Sequence, residues 1–327
     1  MYPYCNANGN LTRWVNGSGT IQGGNVDISA YIGFVYIVLG CIMIPISCFV
    51  FSVISRPPLI KHACYKVMTF TTFLDIINMV SAMWICGIFS VLKINHCSHG
   101  VWVMYYSQFV MFFWYMYCSA SEVLALNRML EFANKRLSII LFNGNRVFFW
   151  VAVVIAYSIA CTILVPDAWY HYDPYAGTFR FVRSNGEANV IHLFNNFFKF
   201  GFLTLAYGIM LIFMYRLKNQ TSNRGTLTAF HVKVSIQTLT IAALGDAVTM
   251  GYLASAYLPL SDNIAQHTGT FGQFLWISVH SGSGIIYLFM NRAVNTKFQR
   301  TFCGSYSLWH GSSGVAPTTS AKDDQKS

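Results

Sequence analysis

Polar or ionisable side chains interrupt the long apolar stretches of this sequence, among them Asp75, Asn78, Glu122, Lys199, Asp246 and His280. An ionisable side chain at the centre of a membrane helix costs roughly 2.5–3.5 kcal/mol, so such residues normally face the interior of a helix bundle and have a partner. Asp75 and Asn78, with Ser281 and Ser283 at similar depth, could bind a sodium ion or a network of water molecules. The alternative is that Asp75 is a neutral or water-bonded carboxyl group that packs the bundle.

Lys199 and Asp246 lie at comparable depths in the fifth and sixth apolar stretches, counting about 1.5 Å of rise for each helical residue. One interpretation is a salt bridge between them. The other, which we prefer, is that Lys199 extends its ammonium group towards the outer headgroups. His280 could donate a hydrogen bond or respond to protons, although a single histidine is more often a structural residue.

Arg128 closes the third apolar stretch. An arginine at the inner end of a helix can pair with polar groups of a neighbouring helix in one state and meet a cytoplasmic partner in another. Arg128 is therefore the predicted switch residue. Glu131, three residues later, is better placed than Glu122 to be its acidic partner. The alternative is that Arg128 only sets the membrane topology.

Seven apolar stretches must position these residues. Hydrophobic residues make up 55% of the 327 and charged residues only 10%, which is typical of a membrane protein. A span needs about 20 mostly apolar residues, and backbone groups cannot stay unpaired in lipid, so stretches this long form helices rather than barrel strands. The predicted fold is an all-α membrane protein, a seven-helix bundle, with spans near residues 30–54, 67–92, 101–126, 147–166, 190–215, 234–259 and 268–290.

The basic residues are unevenly distributed between the loops. The formal net charge is +10, and most of the 21 Lys and Arg fall after spans one, three and five and in the C-terminal tail. Since cytoplasmic loops are enriched in Lys and Arg, the N-terminus is predicted to be outside and the C-terminus inside. The basic excess then faces anionic lipid and cytosolic partners, and nucleic acid is not an expected partner.

This orientation predicts four regions along the chain. They are an extracellular segment (1–29), a transmembrane domain (30–290), an amphipathic juxtamembrane segment (291–303) and a disordered cytoplasmic tail (304–327). Amphipathic segments of this kind can lie along the inner leaflet.

Covalent modification is predicted at both ends of the chain. Asn10 and Asn16 begin glycosylation sequons in the extracellular segment. Of the nine cysteines, only Cys5 and Cys97 face the oxidising side, where they either form a disulfide that attaches the N-terminal segment to the top of span three or remain unpaired. Cys303 follows a basic and aromatic segment and is either a palmitoylation site or an unmodified thiol.

The outer halves of spans three, five, six and seven are expected to enclose a ligand pocket. Concave apolar sites with few polar groups suit small, largely apolar ligands. Each aromatic ring there could instead face lipid or pack in the core. The predicted pocket residues are Tyr105, Phe109, Phe112, Phe113, Tyr252, Phe271, Phe274 and Trp276.

Five short motifs carry a family resemblance. They are Cys64-Tyr65-Lys66-Val67-Met68, Leu74-Asp75, Leu124-Ala125-Leu126-Asn127-Arg128, Asp173-Pro174, and Gly284-Ile285-Ile286-Tyr287-Leu288 with Asn291. Together they resemble the nematode serpentine chemoreceptors of class T, from span one to the end of span seven. The resemblance implies a G-protein-coupled chemosensory receptor with a small-molecule ligand and a heterotrimeric G protein as partners. It also implies that Asn127 and Tyr287 act with Arg128 as switch residues. It also implies the plasma membrane of a sensory neuron, or its cilium, as the location.

Other classes of function are less well supported. A membrane transporter or channel is the alternative, because intramembrane Asp, Lys and Glu can mark an ion path. The odd number of spans and the lack of an inverted repeat argue against it. The chain has no His-Glu-x-x-His, no Gly-x-Ser-x-Gly and no cysteine-histidine metal spacing, so we expect neither enzymatic activity nor a metal or other cofactor.

Overall fold

Seven long helices, counted within the described part of the chain, confirm the predicted seven-helix bundle. The structure is a computed structural model that describes residues 5, 29–185, 187–220, 229–257 and 267–303. The helices, which we call spans one to seven, are Ser29–Ile54, Ala63–Val91, Trp102–Ala133, Arg146–Ile163, Val190–Gln220, Ala229–Tyr257 and Thr268–Met290.

Six of the seven helices are long and apolar enough to cross a membrane by length and composition. Span seven is 23 residues long, but Gln273, His280 and several serines lower its hydropathy. We call the end of the bundle near Arg128 the inner end and the opposite end the outer end, after the predicted orientation.

Spans one and two pack with their backbones in contact. A Cβ atom on Gly33 would lie 2.5 Å from the carbonyl oxygen of Gly87. A Cβ atom on Gly87 would lie 2.8 Å from the carbonyl oxygen of Gly33. Small residues at a helix interface allow such an approach, because association in lipid depends on van der Waals packing. Just before this contact, span two contains a π-helical turn at Val80–Ile85.

Span three continues to Ala133 instead of ending near residue 126. The prediction stopped too early because it followed hydropathy, whereas the helix continues until a capping residue ends it. Asn134 leaves the helical conformation, and its side-chain oxygen accepts a hydrogen bond from the backbone N–H of Leu137 (3.0 Å), which begins a short helix, Lys135–Phe142. Arg128 therefore lies inside a helix and more than one turn from its end.

A β-hairpin lies between spans four and five, an element that the all-α prediction did not include. Its strands, β1 (Ala168–Asp173) and β2 (Thr178–Arg183), are antiparallel, with Tyr170 opposite Phe181. The Asp173 carboxylate accepts hydrogen bonds from the backbone N–H groups of Tyr175 and Ala176 in the turn. Tyr172 is buried and donates to the carbonyl oxygen of Cys86 (2.7 Å), so the hairpin is attached to the outer end of span two.

A short helix, Arg292–Phe298, follows span seven, and a further helical turn runs from Gln299 to Cys303. Asn291 caps this juxtamembrane helix, because its side-chain oxygen accepts from the backbone N–H groups of Ala293 and Val294. The amide nitrogen of Asn291 donates to the hydroxyl oxygen of Tyr65 (2.9 Å), which links span seven to the inner end of span two.

Candidate functional site

A cavity of about 270 Å³ lies in the outer half of the bundle. Span three, β2 and spans five, six and seven all contribute to its walls, which include Val110, Trp114, Phe179, Phe181, Leu193, Val248, Leu275 and Trp276. Mostly apolar walls with a few polar groups are typical of small-molecule sites.

Hydrogen bonds hold the polar groups of this cavity in fixed positions. Gln273 is 1% exposed, donates to the carbonyl oxygen of Ala82 (2.9 Å) and accepts from the hydroxyl group of Thr178 (3.1 Å). The indole Nε1 of Trp114 donates to Asn196 (3.1 Å). Gln273 therefore joins spans two and seven to the hairpin, and its polar atoms are oriented before any ligand enters.

One polar group of a lining residue has no hydrogen-bond partner in the part of the chain that the structure describes. Within the described residues, the buried indole Nε1 of Trp276 has no hydrogen-bond partner. A buried donor without a partner costs free energy that an acceptor atom in the cavity would recover. Arg180, whose guanidinium lies 3.4 Å from the Asp173 carboxylate, is the charged residue of the lining.

The predicted aromatic pocket residues mostly lie elsewhere. Of the eight, Trp276 is the one that lines the outer cavity. Phe112 and Phe113 pack against a cluster of buried core residues that includes Val123 and Val279. The side chain of Tyr252 is outside the described residues. The remaining four, Tyr105, Phe109, Phe271 and Phe274, are exposed on the outside of the bundle. Aromatic side chains favour both lipid and protein surroundings, so composition could not show which way each ring faces.

Asp75 and His280 form the centre of a buried polar cluster below the cavity. Asp75 Oδ1 and His280 Nδ1 are 2.6 Å apart, and Ser283 donates to Asp75 Oδ2 (2.7 Å). Asn78 and Ser281 do not join this cluster, since Asn78 donates to the carbonyl oxygen of Leu74 and Ser281 to that of Ile277. Two of the three predicted partners of Asp75 thus bond to the backbone of their own helices, which leaves fewer side-chain oxygens for an ion than the sequence suggested.

Lys199 is buried, with 1% of its surface exposed, so the preferred expectation that it extends to the headgroups was wrong. Its Nζ lies 5.0 Å from the centre of the Trp114 ring and 5.1 Å from that of Tyr117, where cation–π attraction compensates part of the desolvation. Asp246, the residue that the alternative interpretation placed in a salt bridge with Lys199, accepts a hydrogen bond from Thr204 (3.2 Å). Rings that are large enough to enclose the ammonium group make burial possible.

Aromatic contacts connect the cavity to the polar cluster. The ring of His280 lies 6.1 Å from that of Trp276 and 6.0 Å from that of Trp114, and both indoles line the cavity. Tyr117 contacts the same imidazole at 4.4 Å. A ligand that moves either indole would therefore displace groups that touch His280.

At the inner end, Arg128 and Asn127 are both buried. Arg128 donates from Nε (3.3 Å) and from Nη2 (2.7 Å) to the side-chain oxygen of Asn127. Glu131 accepts a hydrogen bond from Ser138 of the helix Lys135–Phe142. Tyr287, the third predicted switch residue, is buried near the inner end of span seven and shares a small cavity with Asp75 and Lys199.

Covalent sites are described only in part. The structure joins Cys5 to Cys97 by a disulfide. Asn10 and Asn16 lie outside the described residues, as does the side chain of Cys303.

The hairpin places a histidine, His171, in a buried position at the outer end, outside the spans. Burial, together with the neighbouring His96 ring at 5.2 Å, lowers the pKa of His171 to about 3. His171 is therefore neutral at physiological pH.

Sequence reasoning missed several functional candidates, including Trp114, Gln273 and Asn196. Gln273 carried a usable signal, because a glutamine within an apolar span needs hydrogen-bond partners inside the bundle. Trp114 and Asn196 meet across spans three and five, and no local pattern marks that pairing.

Comparison with known proteins gives a consistent result. Residues 20–308 match the family described as serpentine type 7TM GPCR chemoreceptor Srt. The crystal structure of squid rhodopsin has a similar fold, with a TM-score of 0.65, 13% sequence identity and 93% of each chain covered. No curated protein matches the chain in sequence.

Proposed function

Because the chain belongs to the Srt family of serpentine seven-transmembrane chemoreceptors, we propose that it binds a small ligand in the outer cavity and signals to a heterotrimeric G protein at its inner end. The observation that carries this proposal is the contact of two cavity-lining indoles, Trp114 and Trp276, with the buried His280. That contact gives a ligand a physical route to the polar cluster that joins spans two and seven.

The cavity favours one class of ligand. Its described lining includes Arg180, which is paired with Asp173, and Trp276, whose buried indole N–H has no described partner, and it includes no carboxylate. An amine would have to leave water without a counter-ion, at considerable cost. Small, largely apolar molecules with a carbonyl, ester or carboxylate acceptor fit these groups best.

The inner end supplies the coupling element. Arg128 is held by an amide oxygen rather than by a carboxylate, and a neutral acceptor forms a weaker hydrogen bond with a cation than a charged one does. We propose that movement of span three or span six releases this arginine for contact with the G protein. The proposed location is the plasma membrane, with the hairpin end outside, in a sensory neuron or its cilium.

Nucleotide exchange on a purified G protein tests the proposal, with the receptor in nanodiscs. A panel of ketones, esters, carboxylic acids, hydrocarbons and amines should contain activators among the acceptor-bearing compounds. Trp276→Phe keeps the ring and removes the donor, so the potency of such an activator should fall about 3- to 10-fold, as expected for one hydrogen bond. Phe271→Ala is the matched control, because Phe271 is exposed on the same helix.

Two results would contradict the proposal. One is an equal loss of potency in Trp276→Phe and Phe271→Ala, which would place the ligand elsewhere. The other is solute movement into liposomes without any G protein, which would favour a transporter.

A further inference from the structure

A second cavity, of about 720 Å³, opens at the inner end of the bundle. Its walls come from span one and the loop after it, from span six, and from the end of span seven with the juxtamembrane helix Arg292–Phe298. This cavity is separate from the outer one and shares no lining residue with it.

The inner cavity is strongly basic. Five cationic side chains line it, and no carboxylate does within the described residues: Arg56, Lys233, Arg292, Lys297 and Arg300. All five are exposed, and none of them forms an ion pair with another described residue. Like charges in one concavity repel each other, and a bound polyanion would relieve that repulsion.

A neutral donor on a residue of the cavity wall also lacks a partner among the described residues. Gln237 of span six lines the cavity and is 1% exposed, and its amide nitrogen has no hydrogen-bond partner in the described part of the chain. Near it, the hydrogen bond from Asn291 to Tyr65 fixes another part of the wall. The wall therefore combines five cations with a buried amide donor that has no described partner, which suits an anion with several acceptor oxygens.

Aromatic residues place this cavity at the edge of the lipid. Phe49 of span one contacts Phe298 and Phe302 at 5.6 and 5.8 Å between ring centres. Phe302 is still 63% exposed, on the same helical segment as Lys297 and Arg300. Segments with apolar and basic faces lie in the interface plane of a membrane, so the mouth of the cavity lies at the level of the headgroups.

We propose that the inner cavity binds the phosphorylated headgroup of an anionic lipid of the phosphoinositide class. Phosphomonoesters carry more charge and more acceptor oxygens than a phosphodiester does, and arginine binds them in a bidentate manner. Five cations and a buried amide therefore favour a multiply phosphorylated headgroup over phosphatidylserine. The exposed Phe302, packed beside Phe49 and Phe298, provides a surface for the acyl chains.

Lipid binding to the purified full chain tests this proposal without any ligand or G protein, so its outcome is independent of the receptor assay. Nanodiscs would contain phosphatidylcholine with either a phosphoinositide bisphosphate or phosphatidylserine at equal total charge. Binding of a fluorescent phosphoinositide to the protein would be measured in both kinds of nanodisc, where the unlabelled phosphoinositide or phosphatidylserine competes with it. Lys297→Gln with Arg300→Gln should reduce affinity roughly tenfold or more, because two charge-assisted hydrogen bonds are lost.

The matched control is Lys135→Gln with Arg136→Gln, which removes two exposed charges from the inner end but outside the cavity. It should change affinity less than about twofold. Three results would overturn the proposal. They are equal losses in both double variants, no preference for phosphoinositide over phosphatidylserine in the unaltered chain, and equally tight binding of soluble inositol trisphosphate, which would point to a free phosphate rather than a lipid.

Discussion

Asp75 of span two and His280 of span seven are joined by a hydrogen bond of 2.6 Å in the buried centre of the bundle. The two residues are 205 positions apart in sequence, and each is at most 2% exposed. Ser283 donates to the second carboxylate oxygen, so the carboxyl group has a partner on both sides. Spans two and seven are thereby fastened at the level where the cavity indoles contact the imidazole.

Replacing only one residue of this pair should destabilise the protein more than expected from the effect of replacing both. Asp75→Leu or His280→Leu alone leaves a buried polar group unsatisfied, at a cost of about 1–3 kcal/mol, whereas the double variant leaves an apolar contact. The apparent unfolding temperature in nanodiscs should therefore fall less in the double variant than the two single effects predict. Ser281→Ala is the control, because that hydroxyl bonds within its own helix. Additive effects would argue against a direct pair.

The contact between Arg128 and Asn127 predicts opposite effects of two substitutions. Asn127→Asp keeps the acceptor oxygen and adds charge, which strengthens the hydrogen bond to the guanidinium. Basal nucleotide exchange on the G protein should then decrease. Asn127→Leu removes the acceptor, and basal exchange should increase. If both variants shift basal exchange in the same direction, Asn127 does not restrain Arg128.

Gly284 lies against Ser47 of span one, and a Cβ at position 284 would overlap the serine hydroxyl. Gly284→Ala should lower the apparent unfolding temperature, since overpacking typically costs about 1–3 kcal/mol. Adding Ser47→Ala removes the overlapping oxygen and should restore most of the loss.

Gly208→Ala is the matched glycine control, because nothing among the described atoms lies within 4 Å of a Cβ at that position. It should be neutral or slightly stabilising, as alanine is the better helix former. A loss in Gly208→Ala as large as in Gly284→Ala would show that the effect is not one of packing against Ser47.

Acid should destabilise the hairpin through His171. Its pKa is about 3 in the folded chain and 6.5 when unperturbed, so between these values the unfolded state binds a proton that the folded state does not. The contribution of neutral His171 to the free energy of unfolding is therefore fully present above pH 6.5. It decreases as the pH falls, by about 2 kcal/mol near pH 5. Hydrogen exchange of the hairpin amides measures this slope.

His171→Gln should flatten the dependence on pH, because the group that titrates is removed. His99→Gln, at an exposed histidine of the same end of the bundle, should leave the slope unchanged. Asp173 and Arg180 also act on His171, in opposite directions, and both stay in place in these variants. A slope that persists in His171→Gln would assign the acid sensitivity to another group.

Hydropathy and motif spacing were sufficient for the seven spans, their order and the family. These properties are local: a helix that crosses lipid must be long and apolar, whatever its neighbours are. Span ends were less certain, as the extension of span three to Ala133 shows, because a helix end depends on capping rather than on hydropathy. The hairpin was missed, since its strands are defined by pairing with each other.

Only the tertiary structure decided which side chains meet. Trp276 lines the outer cavity and Phe271, five residues earlier on the same helix, is exposed, yet both are aromatic residues in one apolar span. In a soluble protein the polar face of a helix would reveal its rotation. In a membrane the lipid and the protein core are both apolar. Hydropathy therefore shows which segments span the membrane, whereas packing against neighbouring helices decides which face of each helix is buried in the bundle.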